Sequence, residues 1–172
     1  MMNLARLKNQ MLSKLLSHFP LLSKYFIHSY KARESHDIPW TPVTKPLSES
    51  RIALVTTSGV HHKDQTPFNM SDKNGDPTFR VIDFSRPVSS LMITHDYYDH
   101  SDAEQDINIV FPVERLTEFK NEGLIGDIAD QHYAFMGHTD GPYINALIND
   151  TAPAVAQRLK AERVDTVMLT PA

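Results

Sequence analysis

The chain has 172 residues, 41% of them hydrophobic and 22% charged, with a net charge of −4 at pH 7. That size and composition describe one globular domain with an appendage and exclude a disordered or collagen-like chain, while no apolar run is long enough to span a bilayer. The acidic balance argues against a general nucleic-acid binder, and the absence of cysteine excludes a disulfide framework, a thiolate zinc site and a thiol nucleophile within these residues.

Charge is unevenly spread. Residues 1–33 hold Arg6, Lys8, Lys14, Lys24, Lys31 and Arg33 and no Asp or Glu, so this segment is +6 and the remainder −10. Within it Leu4, Leu7, Met11, Leu15, Leu16 and Phe19 recur at helical spacing, which predicts a helix over 1–30, broken at Pro20 and resumed as a short turn over 22–27. Such an appendage suits a docking helix that covers a face of the domain or of a second subunit, a helix lying on a membrane surface, or a basic transit peptide. It lacks the h-region and small-residue cleavage site of a secretory signal, which favours a cytoplasmic product. Residues 34–50 carry Pro39, Pro42 and Pro46 around Trp40 and read as an extended connector with the indole as a packing anchor.

The domain proper begins at 51 with RIALVTTSGVHH, a β-branched run that ends in small polar residues and two histidines. Further strands are expected at 79–82, 91–94, 107–111 and 166–169. Helices are expected at 113–121, stopped by Gly123, and from Pro142 or Tyr143 to about Glu162, divided at Pro153. Strands alternating with helices predict an α/β fold with a mainly parallel sheet sandwiched by helices in Rossmann-like layers, incomplete at the C-terminus. Ligands in such folds sit beyond the carboxyl ends of the strands. That is where residues 58–62 and 95–102 and the terminal VDTVMLTPA fall.

ITHDYYDHSD, residues 93–102, nearly spells the THxHxDH pattern of metallo-β-lactamase-like hydrolases. Thr94, His95, Asp99 and His100 are in register, but Tyr97 replaces the second histidine, and only His132, His138 and Asp140 follow as further ligands. The plainer alternative is a polar loop in which His95 and Asp99 satisfy each other. In TTSGVHH, residues 56–62, a glycine-containing strand-end turn could bind a carboxylate or phosphate through its amides. No GxGxxG, GxxxxGK[ST] or GxSxG pattern occurs, so neither nucleotide binding nor a serine-hydrolase elbow is expected. QHYAFMGH, residues 131–138, reads as core or as a pocket lining. From the residues alone the expectation is a polar, histidine-rich crevice lined by His61, His62, His95, His100 and His132, without a nucleophile of its own.

Taken together, SRIALVTTSGVH, GDPTFRVI, HDYYDHSDAEQDINIVFPVERLTEF, GLIGDIADQHYAFMGH and TAPAVAQRLKAERVDTVMLTPA resemble, in collinear order from Ser50 onward, the glycine/sarcosine/betaine/D-proline reductase selenoprotein B family. The resemblance implies a reductase that cleaves a C–N bond of a small amino-acid-like substrate with a selenol or thiol nucleophile. It also implies a thioredoxin-type reductant and a partner reductase subunit. The basic, amphipathic pattern of residues 1–30, outside the resemblance, leaves that segment for oligomer or peripheral membrane contacts. Family members continue past a segment like VMLTPA with selenocysteine or cysteine, so the redox residue is expected directly after Ala172, at an in-frame UGA codon. Supporting catalytic candidates are then His61, His95, Asp99 and His100, with Thr57, Ser58, Gly59, His62 and His132 toward substrate and no metal. A homologue that keeps the fold as a binding or structural module without redox chemistry is the alternative, and a metal hydrolase a distant one.

Overall fold

A computed structural model describes residues 4–29 and 40–171. The first part of the expected connector, residues 34–39, lies outside the described residues, as do the ends of the expected N-terminal helix. The N-terminal segment forms α1 (Leu4–His18) and α2 (Pro20–Ser29), with Pro20 opening the second helix. Proline suits that place because its missing N–H has no helical partner there. Trp40, expected as an anchor, is 86% exposed.

The domain is built on β1 (Arg51–Thr56). Ile52 lies between Ile128 and Thr166, and Val55 between Tyr133 and Leu169, all in parallel register. Thus β5 (Asp127–Ile128) and β6 (Gln131–Ala134) share one flank of β1, and β7 (Thr166–Thr170) takes the other. Beyond β6, β3 (Arg80–Asp83) pairs antiparallel. A separate two-stranded antiparallel sheet joins β2 (Val60–His62) to β4 (Leu91–Ile93).

The expectation of a mainly parallel, Rossmann-like sandwich is therefore corrected: the principal sheet is mixed, and a second small sheet is antiparallel throughout. The reason lies between residues 51 and 94, where four strands follow one another with no α-helix among them. Parallel neighbours need a long crossover, whereas strands joined by turns and loops can pair antiparallel. Parallel pairing is confined to strands reached through α4 (Val113–Asn121) or through α5 (Tyr143–Ala146) and α6 (Ala152–Ala161).

Alternation along β1 sorts the core. Ile52 and Leu54 face a cluster with Val60, Ile93, Phe111 and Leu116, while Ala53 faces Tyr133, Val155 and Leu159 of α6. Two further expectations change. Residues 107–111 are not a strand: Ile107–Ile109 form a 3₁₀ turn capped by Asp106, whose side chain accepts the Asn108 N–H. Between α5 and α6 the helix widens into a π turn at Leu147–Thr151, just before Pro153 in the first turn of α6. A proline there donates no hydrogen bond to the preceding turn and crowds its carbonyl, which a wider turn relieves.

Helix α4 ends at Gly123 with φ 74°, as expected of a C-terminal glycine, whereas α6 ends at Arg163 with φ 58°. A side chain in that left-handed region costs about 1 kcal/mol relative to glycine. Arg163→Gly is therefore expected to raise stability by roughly 0.5–1 kcal/mol in urea denaturation. An unchanged or lower midpoint would count against this.

Among the described residues β7 forms one edge of the sheet, and three of its five residues, Val167, Met168 and Leu169, are exposed.

Candidate active site

The loops leaving β1, β4 and β6 meet at the carboxyl end of β1. Thr57 N–H donates to the Thr170 carbonyl at 3.1 Å, Gly59 N–H to Phe135 at 2.9 Å, and Thr94 N–H to Gly59 at 2.9 Å. Thr56 and Thr170 hydroxyls both donate to the Val110 carbonyl, at 3.0 and 2.8 Å, which ties the ends of β1 and β7 together. Ser58 is buried, with its N–H and hydroxyl on Thr56 Oγ1. All three amides of residues 57–59 are thus engaged within the fold. Gly137, with φ 73°, lets its loop approach: a Cβ there would stand 2.7 Å from the Thr57 carbonyl oxygen.

The histidines are held in defined tautomers. His95, buried, accepts the Tyr97 N–H at Nδ1 (3.0 Å) and hydrogen-bonds the Met136 backbone, so it carries its proton on Nε2. Burial pushes its pKa down to about 4. His61 and His62, on β2, are also fully buried. His61 Nδ1 donates to the His62 carbonyl at 2.8 Å and Nε2 accepts from Thr94 Oγ1. His62 Nδ1 donates to Ser90 Oγ, and its Nε2 accepts the Asp83 N–H at 3.1 Å. Burial lowers the pKa of both. Each of these rings has both nitrogens occupied and acts as a neutral cross-link between loops.

His100 differs in being only half-buried. Its Nε2 donates to the His95 carbonyl at 3.0 Å, and Nδ1 lies 2.9 Å from Glu104 Oε1. With Asp99 it opens onto a cleft between α1 and α3 (Ser101–Gln105), walled also by Gln10, Lys14 and Tyr98. Asp99 does not pair with His95. It accepts the Ser101 hydroxyl (2.8 Å) and N–H, and these bonds hold its carboxyl below the usual range.

His132, on β6, stands apart from this group in the core. It sits edge-on to Phe84 and Phe111, at 5.7 Å from each, and its Nδ1 accepts the Leu54 N–H at 3.0 Å. That bond has a topological cause. Three steps along β1, from Ile52 to Val55, match five from Ile128 to Tyr133, so the neighbouring strand bulges by two residues. The imidazole supplies the acceptor that the bulged backbone fails to present. Burial lowers its pKa to about 4.

Asp96 was not among the sequence candidates, although it lies inside the ITHDYYDHSD stretch. It is 1% exposed and receives Arg6 Nε (2.6 Å), Arg6 Nη2 (3.1 Å) and Gln10 Nε2 (2.8 Å) from α1. Burial alone would push its carboxyl up, but these three bonds outweigh that and hold it below the usual carboxylate range. Only a partner 90 positions away explains the residue, and no local signal reveals it. Among the described residues no group of three or more His, Cys, Asp or Glu stands together so as to hold a metal ion.

A family model for glycine/sarcosine/betaine reductase selenoprotein B matches residues 9–172. The chain belongs to that family. It is 40% identical over 131 residues to the D-proline reductase subunit gamma of Acetoanaerobium sticklandii, a match covering 76% of this chain and 52% of the relative. It is 34% identical over 137 residues to the glycine reductase complex component B subunit gamma of Carboxydothermus hydrogenoformans, covering 77% of this chain and 30% of that subunit. With the corresponding subunit of Symbiobacterium thermophilum it shares 30% identity over 166 residues, 94% of this chain and 36% of the relative. The chain thus spans about half the length of the first relative and about a third of the other two. No solved structure matches it. Among the described residues no helix is long and apolar enough to cross a membrane.

Proposed function

We propose that this selenoprotein B-type chain forms the substrate-side part of a selenol- or thiol-dependent reductase that cleaves a C–N bond of a small amino-acid-like molecule, with the redox selenocysteine or cysteine directly after Ala172. The observation that carries the reading is the hydrogen bond from Thr57 N–H to Thr170, which brings the end of β7 beside the turn at residues 57–59. A redox residue there would supply the nucleophile and, with a second thiol and a thioredoxin-type reductant, the electrons for the cleavage.

The chain's own residues would bind and orient. Thr57 stands at the strand end, and Ser58 and Gly59 shape the turn that presents it. Asp99, on the cleft between α1 and α3 with His100 beside it, is the group best placed to attract a departing amine. His95 positions His100 through its carbonyl, while His61, His62 and His132 brace the loops as neutral rings. A partner reductase subunit of the complex would complete the site.

The test compares amino-acid reductase turnover, with a dithiol as reductant, of the 172-residue chain and of the same chain continued through its following codons with cysteine in the first position. The extended protein is expected to turn over glycine, sarcosine, betaine or D-proline and the 172-residue chain to be inactive. Appreciable turnover by the shorter chain, or a codon after Ala172 that encodes neither selenocysteine nor cysteine, would overturn the reading.

A further inference from the structure

Helix α1 is docked with its polar side inward. Among its described side chains the most buried is Ser13, flanked by Arg6 and Gln10, which grip Asp96. The opposite side carries Leu4, Leu7, Met11, Leu12 and Leu15 with Lys8 among them. Leu4 is 81% exposed, Met11 66% and Leu15 45%. The stripe continues past the helix end through Phe19 and into α2 at Leu21, both exposed. An amphipathic helix of a globular protein ordinarily buries its apolar face against the core. Here an ion pair with a buried carboxylate fixes the reverse orientation, and among the described residues Leu4, Met11, Leu12 and Leu15 of the apolar stripe stay exposed.

Charge selects what covers it. The first 33 residues carry six basic residues and no acidic one. Packing α1 against α1 of a second copy would bring Lys8 and Lys14 together with no carboxylate from either helix to pair them, and like charges at a helix seam are unfavourable. An apolar ridge bordered by lysines, on helices too short to cross a bilayer, has the composition of a helix that lies in the plane of an anionic lipid surface. We infer that α1 and the start of α2 bind the chain peripherally to an anionic phospholipid membrane, with the Arg6–Asp96 pair holding the apolar stripe toward the lipid.

The full chain should be floated with vesicles of equal parts phosphatidylcholine and phosphatidylglycerol and, separately, with phosphatidylcholine vesicles. It is expected to rise with the anionic vesicles and to be released by salt. Met11→Asp together with Leu15→Asp should weaken binding by about tenfold or more, from the lost apolar burial alone. Lys8→Glu with Lys14→Glu should weaken it on anionic vesicles by a similar factor. These positions are exposed, so circular dichroism and the thermal midpoint should stay unchanged, which separates lost binding from lost folding. No flotation of the unaltered chain, or equal flotation with both vesicle types, would overturn the inference. So would a dimer in light scattering that Met11→Asp dissolves while vesicle binding is absent, since the stripe would then belong to a second copy.

Discussion

Stability is expected to fall steeply between pH 6.5 and 4, before most carboxylates titrate. An unfolded histidine takes up its proton near pH 6.5, whereas folded His95 and His132 do so only at about 4. Because the folded pKa is depressed, the unfolded state binds more protons throughout this window, and lowering the pH favours unfolding. The contribution is full above pH 6.5, declines as the pH falls and levels off below about 4. Each ring accounts for about 3 kcal/mol over the interval, a large part of an ordinary domain's stability. Burial lowers His61 and His62 as well, and they act in the same direction. Below this window the Asp96 carboxylate adds a further loss as it protonates, since it too is held low in the fold. Urea denaturation at a series of pH values measures the slope. A stability that stays flat from neutrality to pH 4 would contradict neutral buried histidines.

His132→Leu at neutral pH is the second large effect. Leucine preserves bulk between Phe84 and Phe111 but removes the acceptor of the Leu54 N–H, at a residue with no exposed surface. A buried amide without a partner costs about 1–3 kcal/mol and imperfect packing of the new side chain adds to this, while removal of the ring's own buried Nε2–H, unpartnered among the described residues, offsets part, which leaves an expected loss of about 1–3 kcal/mol. His132→Asn offers a carbonyl oxygen in place of Nδ1 and separates the two terms. Hydrogen exchange at the Leu54 amide should quicken in the leucine variant and remain slow in the asparagine variant, although both lose half of the acid sensitivity shared by His95 and His132. An unchanged Leu54 exchange rate in His132→Leu would show that the ring does not repair the β1–β6 ladder.

What was legible in the sequence was chiefly local. Apolar runs with β-branched residues marked β1 and β7, helical spacing and Gly123 marked α4, and Pro20 marked the division of the N-terminal helices, because propensity and capping act over a few neighbouring residues. The family resemblance was likewise readable, since it rests on collinear blocks of residues that the family model matches. The short strands β5 and β6 were not, because runs of only two and four residues are too short to show an alternation.

Strand direction also escaped a local reading, because it depends on which strands are joined without a crossover. The same holds for the candidate site. Sequence grouped five histidines in one crevice by their places at strand ends, and four of those rings prove to be buried: His61, His62 and His95 with both nitrogens engaged, and His132 serving a bulge between distant strands. Asp96 acquires its meaning from Arg6, and the apolar stripe of α1 from the direction in which that pair turns the helix. The sequence by itself determined β1, β7, the longer helices, the charge asymmetry and the family. Only the tertiary structure decided which polar groups are already satisfied, because hydrogen-bond partners in a folded chain are chosen by proximity in space and lie up to 120 residues apart along it.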